Sequence, residues 1–131
     1  MGQLRYLIFV GLIGLPGCAT KEPSRELYVS PTKQFAIEVQ IGDEEDISNK
    51  HEIFLKLLDD DWDELDIART KASAAMNYDI FWEDDRTVVL YSSDIGVFAW
   101  YVTRDEKIIR APVDYKLNKK AEKVFNKKMG R

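Results

Sequence analysis

Catalysis needs reactive groups that a chain can bring together, and this chain of 131 residues offers few of them. It holds one histidine and one cysteine. A lone cysteine excludes an intrachain disulfide, and a lone histidine excludes a multi-histidine metal site. His51 has no second histidine, cysteine or serine motif near it, so it reads as a surface residue at a strand start rather than a base. Ser92-Ser93-Asp94 suits the capping of a turn better than nucleophilic attack. Asp59-x-Asp61-x-Asp63 matches the opening of a calcium loop, but the glycine that loop needs for its sharp turn is Glu64, and its closing glutamate is Thr70. The acids can be paired on paper, yet glycosidase chemistry needs a cleft that the sequence does not define. The sequence has no Gly-rich phosphate loop, and no cofactor or metal is expected.

The cysteine stands in a different context. Arg5 and the N-terminus make a short positive region, followed by ten apolar residues from Tyr6 to Leu15. That run is too short to span a bilayer as a helix and suits a secretory signal. Pro16 and Gly17 then break it. Leu15-Pro16-Gly17-Cys18 resembles the lipobox of bacterial lipoproteins. The resemblance implies that Cys18 receives a diacylglyceryl group and that a peptidase cuts before it, with Leu15 and Gly17 as the cleavage motif. Residues 1–17 are then a signal peptide, 18–26 a lipidated tether and 27–131 one domain. One acyl chain binds a membrane only marginally, whereas several make anchoring effectively permanent, so no transmembrane helix is required. In enteric-type sorting an aspartate after the cysteine retains lipoproteins at the inner membrane. Ala19 is not that signal, so the resemblance implies the outer membrane, facing the periplasm, where the source has two membranes.

The rest of the chain supplies strands. Phe35, Ile37, Val39 and Ile41 alternate with Ala36, Glu38 and Gln40, the period of a half-buried strand. Ile53, Leu55 and Leu57 repeat the pattern, Asp59 to Trp62 make a turn, and Glu64 to Thr70 return as a hairpin. A helix from His51 to Met76 is the competing reading. The alanines favour it, and the aspartates oppose it, being poor interior helix formers. The hairpin is preferred, with at most one helical turn near Ala72–Met76. Tyr78 to Trp82, Thr87 to Tyr91, Val97 to Val102 and Ile108–Ile109 follow, separated by polar turns at the spacing of an antiparallel meander. At the tail the period changes: Leu117, Ala121, Val124, Phe125 and Met129 share one helical face. The expected fold is mainly β: a meander of six to eight strands, as a blade-like sheet or small sandwich, with one C-terminal amphipathic helix over residues 115–129.

Ser30-Pro31-Thr32-Lys33-Gln34-Phe35-Ala36 resembles the opening of WD-like β-propeller repeats in periplasmic proteins. Trp82 to Asp94, with its tryptophan, turn, strand and Ser-Ser-Asp, resembles the same unit again. The glycine of the first turn is missing from both copies, and two units cannot close a propeller. The chain is also similar to small envelope lipoproteins with a Trp-x-Asp-Asp…Ser-Ser-Asp-x-Gly core, which implies no particular activity.

Charge is the last signal. The formal net charge of −4 argues against a nucleic-acid binder. Residues 43–66 carry eleven acids and two lysines, while residues 115–131 carry a net +6. The basic helix can dock on the acidic hairpin, lie against anionic headgroups, or serve a separate partner. Trp62, Trp82, Trp100, Tyr78, Tyr91 and Tyr101 are expected in the core and in cross-strand packing, except Trp62 at its acidic turn. Asp59, Asp61, Trp62 and Asp63 are candidate partner contacts. Lys119, Lys120, Lys123 and Lys127 are candidate membrane or partner contacts. The expected protein is a non-enzymatic, lipid-anchored envelope protein presenting a β domain to another macromolecule. The alternative is an anchored inhibitor or immunity-type protein that neutralises a cationic toxin or hydrolase through the acidic hairpin.

Overall fold

The computed structural model describes residues 26–42 and 50–130. Leu15, Gly17, Cys18 and the acidic stretch 43–49 lie outside the described residues. Eight strands and one helix follow in order: β1 (Leu27–Val29), β2 (Ala36–Ile41), β3 (Glu52–Leu58), β4 (Glu64–Ser73), β5 (Tyr78–Trp82), β6 (Thr87–Ser92), β7 (Gly96–Val102), β8 (Ile108–Ala111) and α1 (Tyr115–Lys128). The fold is mainly β with one C-terminal helix, and every strand pairing is antiparallel. The meander is divided into two sheets, β1-β2-β3-β4 and β5-β6-β7-β8.

The period of two explains the division of labour between faces. In the first sheet Ile37 pairs with Leu57 and Val39 with Leu55, which places all four on one face. In the second, Val88 pairs with Trp100 and Leu90 with Phe98. These two faces meet in a single apolar cluster with Phe35, Ile53, Ile80, Val102 and Ile108, so the sheets form a sandwich. The opposite face of the second sheet carries Val89 and Ala99, which pack with Ala121 of α1. The molecule is thus layered sheet, sheet, helix. Tyr91 and Phe125 stack across the outer boundary with ring centroids 4.2 Å apart.

Polar staples close the sandwich along both edges. On the β1–β5 edge the Trp82 indole Nε1 donates to the Tyr28 carbonyl at 2.8 Å. Nearby the Thr32 backbone N–H donates to Asp85 Oδ1 at 2.9 Å, and the Thr32 hydroxyl donates to Asp85 Oδ2. On the β4–β8 edge the Ile108 N–H donates to Asp66 Oδ2 at 2.9 Å. Pairings that leave edge donors satisfied keep a sheet from offering them to another chain.

Two details refine the expectation. β1 is a strand that the pattern does not announce, because three residues are too few to show a period. The stretch near Ala72–Met76 is not helical: Ala72 belongs to β4, and Ala74 to Met76 form the turn that crosses between sheets. The Met76 N–H donates to the Ser73 carbonyl at 3.2 Å there. The alanines favour helix only weakly, and burial of Ala72 in the sandwich core outweighs that preference.

Candidate functional site

The β3–β4 hairpin tip is the first candidate. Asp59 Oδ1 accepts the N–H groups of Asp61 and Asp63, both at 2.9 Å. Its carboxylate therefore faces inward and holds the turn, as an aspartate at a turn start commonly does. Asp60 and Asp63 are exposed, and Trp62 is 44% exposed. Trp62 also has φ +69, in the left-handed region where glycine or asparagine is favoured. The structure brings Asp59, Asp61, Trp62 and Asp63 together at one tip but gives Asp59 a structural task.

A second cluster was not visible in the sequence. The Tyr28 hydroxyl donates to Glu26 Oε2 at 2.5 Å, and the Tyr78 hydroxyl donates to Glu26 Oε1 at 3.0 Å. Burial, and then the Glu26 carboxylate beside each hydroxyl, push both phenols above the usual tyrosine range, Tyr78 up to about 12. Tyrosines fifty residues apart give no local pattern, so only the edge-to-edge packing of β1 and β5 reveals the cluster. Its effect is to pin the chain at Glu26, where the described domain begins.

The third candidate is α1. Asp114 caps its N-terminus, accepting the Leu117 N–H at 2.8 Å. Ala121 and Phe125 are buried, and Lys127 and Lys128 occupy the last turn, where cations complement the helix dipole. The helix docks on the second sheet and not on the acidic hairpin. Lys120 Nζ donates to Glu83 Oε1 at 2.6 Å, and Lys128 Nζ donates to Asp79 Oδ1 at 3.3 Å and to the Tyr78 carbonyl at 3.1 Å. Apolar contact with Val89 and Ala99 decides the docking partner, and Glu83 and Asp79 then face the flanking lysines. Lys120 therefore pairs within the domain at its surface. Lys119 is only 3.7 Å from Glu122 on its own helix, and Lys123 and Lys127 are exposed. A half-open groove of about 510 Å³ lies at the helix start, lined by Glu83, Pro112, Asp114, Lys116, Leu117 and Lys120. Of its charges, Glu83 and Lys120 pair with each other and Asp114 caps the helix.

The remaining sequence candidates are structural. Ser92 is buried, and its hydroxyl accepts the Asp94 N–H at 2.9 Å, while Asp94 Oδ2 accepts the Ser73 N–H at 3.2 Å. His51 is exposed, and its carbonyl accepts the Ala74 N–H. Of the aromatic residues, Trp100 lies in the core and Tyr91 under the helix, but Tyr101 is 43% exposed. Among the described residues no group of three or more His, Cys, Asp or Glu is placed to hold a metal ion. Nor is any buried side-chain nitrogen or oxygen left without a hydrogen bond. Among the same residues no helix is long and apolar enough to cross a membrane.

No protein-family profile, curated protein or solved structure matches the chain.

Proposed function

We propose that this is a lipid-anchored, non-enzymatic envelope protein, held through Cys18 and presenting its β sandwich for binding to another macromolecule. The observation that carries the reading is the ordered run of Arg5, the apolar stretch Tyr6–Leu15 and Leu15-Pro16-Gly17-Cys18. The fold is consistent with it. Among the described residues, Asp59, Glu26 and Glu83 serve a turn, an edge and the docking of the helix, which suits a rigid scaffold. The test is metabolic labelling with a radioactive fatty acid in a bacterial host. The full chain is expected to take up label and to shorten by the signal peptide, and Cys18→Ala to do neither. Label retained by Cys18→Ala, or absent from the parent chain, would sink the reading.

A second reading, an anchored inhibitor of a cationic protein, is favoured by Trp62. A large apolar ring stands at an exposed tip, flanked in sequence by Asp61 and Asp63. Binding to a basic hydrolase such as lysozyme, measured by calorimetry, should weaken on Trp62→Asn and Asp63→Lys with Asp59 kept to hold the turn. Equal binding by parent and variants, or none by the parent, would remove lysozyme-type enzymes as the target.

A further inference from the structure

Twelve residues of α1 put four lysines in one row. With Ala121 and Phe125 on the sheet, a turn of 100° per residue places Lys116, Lys119, Lys123 and Lys127 on the opposite side. All four are exposed, and the row is about 16 Å long at a rise of ~1.5 Å per residue. The helix carries one acid, Glu122, on its flank. The lysines that do pair with the sheet, Lys120 and Lys128, are a different set. A helix needs only its apolar stripe and flanking pairs to dock, so the outward row is not explained by the fold.

The same side of the molecule carries exposed apolar groups. Tyr101 pairs with Ile109 across β7 and β8, two residues along from Ala99 and Ala111 respectively, both of which pack in the layer beneath the helix. Alternation therefore aims both side chains to the helix side. They are 43% and 51% exposed, and Tyr115 at the helix start is 76% exposed. Of these, Tyr115 stands beside the row, with Lys119 Nζ 5.6 Å from its ring centre. A lysine beside an exposed tyrosine suits the headgroup region of a membrane, where cations meet phosphates and amphipathic rings sit at the boundary.

The point where the tether joins the domain fits that orientation. Glu26 is held by Tyr78, and the Tyr78 carbonyl accepts Lys128 Nζ, so the chain enters the domain beside the last turn of α1. Eight residue steps separate Glu26 from Cys18, a maximum reach of ~28 Å. Two layer spacings of ~10 Å lie between the first sheet and the helix, less than that reach.

We infer that the helix side of the sandwich docks on anionic phospholipid, through Lys116, Lys119, Lys123 and Lys127 with Tyr115 at the helix start. Docking rests on the anchoring reading for bringing the domain to the membrane. It would leave the opposite sheet and the Trp62 tip facing away from the lipid. The test uses the full chain, reconstituted into phosphatidylcholine vesicles with or without phosphatidylglycerol. Lysine acylation rates are read residue by residue by mass spectrometry, with Lys33 and Lys71 of the first sheet as internal references. On anionic vesicles the four row lysines should react about threefold or more slowly, and the references should not change, given the attraction of each lysine to such a surface. Roughly 1 M salt, where screening shortens to ~3 Å, should erase the difference. Equal rates on both vesicles overturn the docking, as does slowing of all lysines together. Mass analysis of Cys18 in the same sample scores the anchor separately. A protected row with unlipidated Cys18 would retain the docking and reject the anchor. Lipidated Cys18 with an unprotected row would do the reverse.

Discussion

Lys33, Trp62 and Glu106 occupy the same place in three turns. Each has a left-handed φ, and each donates its N–H to the carbonyl three residues earlier, on Ser30, Asp59 and Thr103 at 2.9, 3.0 and 3.0 Å. The side chain of that earlier residue then accepts a backbone N–H just beyond the turn, from Phe35, Asp63 and Lys107. The starting residues were legible as turn formers, because short oxygen-bearing side chains cap turns. The left-handed position was not, since its usual sign is a glycine and the chain puts Lys, Trp and Glu there. Glu106 is exposed, so Glu106→Gly should stabilise the domain by about 1 kcal/mol, the cost of left-handed backbone for a residue with Cβ. Thermal unfolding should show a rise of several degrees. No rise, or a fall, would mean that the Glu106 side chain contributes more than its backbone costs.

Glu52 is the other residue with a measurable signature. Its carboxylate takes the Arg69 guanidinium at 2.7 and 3.0 Å and the Lys71 N–H at 3.0 Å, locking the irregularity where β3 and β4 shift register. The Arg69 hydrogen bonds hold its pKa below the ordinary 4.5 despite burial. The folded state thus prefers the ionised form. Its contribution is fully present above the unfolded value and is lost as pH falls through the lower folded one. Glu52→Gln should cost about 1 kcal/mol at neutral pH, discounted because Arg69 is half exposed, and should flatten the acid side of the stability curve below about pH 5. Denaturant unfolding at pH 7, 5 and 3 checks both. An acid limb as steep as the parent's would assign that limb to other carboxylates.

At the scale of elements, what could be read from the sequence was what repeats. β2 alternates over six residues, β6 and β7 are near-continuous apolar runs, and α1 shows its stripe over fourteen. What could not be read was partnership. Strand spacing is the same whether a meander continues or folds back on itself. The crossing from β4 to β5 runs through Ala74-Ala75-Met76-Asn77, with neither glycine nor proline to mark it. The helix was legible as amphipathic, but the choice of the second sheet over the acidic hairpin depends on Val89 and Ala99 offering an apolar outer face. That face should depend on Phe125, which is 2% exposed and stacks on Tyr91. Phe125→Ala should cost about 3–5 kcal/mol and release the helix first. Hydrogen exchange should then show amides 117–128 opening at lower free energy than those of β6. Helix and β6 amides losing protection equally would show that the helix does not undock alone.

For the whole molecule the question is whether the two sheets are separate units or one. Each sheet is a four-stranded antiparallel meander, the strand count of one propeller blade. Blades in a propeller, however, are one layer each in a closed ring. Here the inner faces share one cluster, in which Leu55 and Leu57 of the first sheet pack with Val88, Leu90 and Trp100 of the second. Neither four-stranded sheet could keep those side chains from water alone. The edge staples of Asp66, Asp85 and Tyr28 add bonds that only the pair of sheets can make. The two sheets should therefore unfold together. Leu55 is fully buried, and Leu55→Ala should cost about 2–5 kcal/mol. Because the core is shared, the loss should appear equally in both sheets. Tryptophan fluorescence is informative because Trp82 and Trp100 both belong to the second sheet and Trp62 to the hairpin tip of the first. A Trp62→Phe background confines the signal to the second sheet, while far-UV circular dichroism reports all strands and the helix. In that background a mutation in the first sheet should shift both midpoints by the same amount. A fluorescence midpoint that stays put while the dichroism midpoint falls would mean two autonomous blades, and the sandwich would be a contact rather than a core.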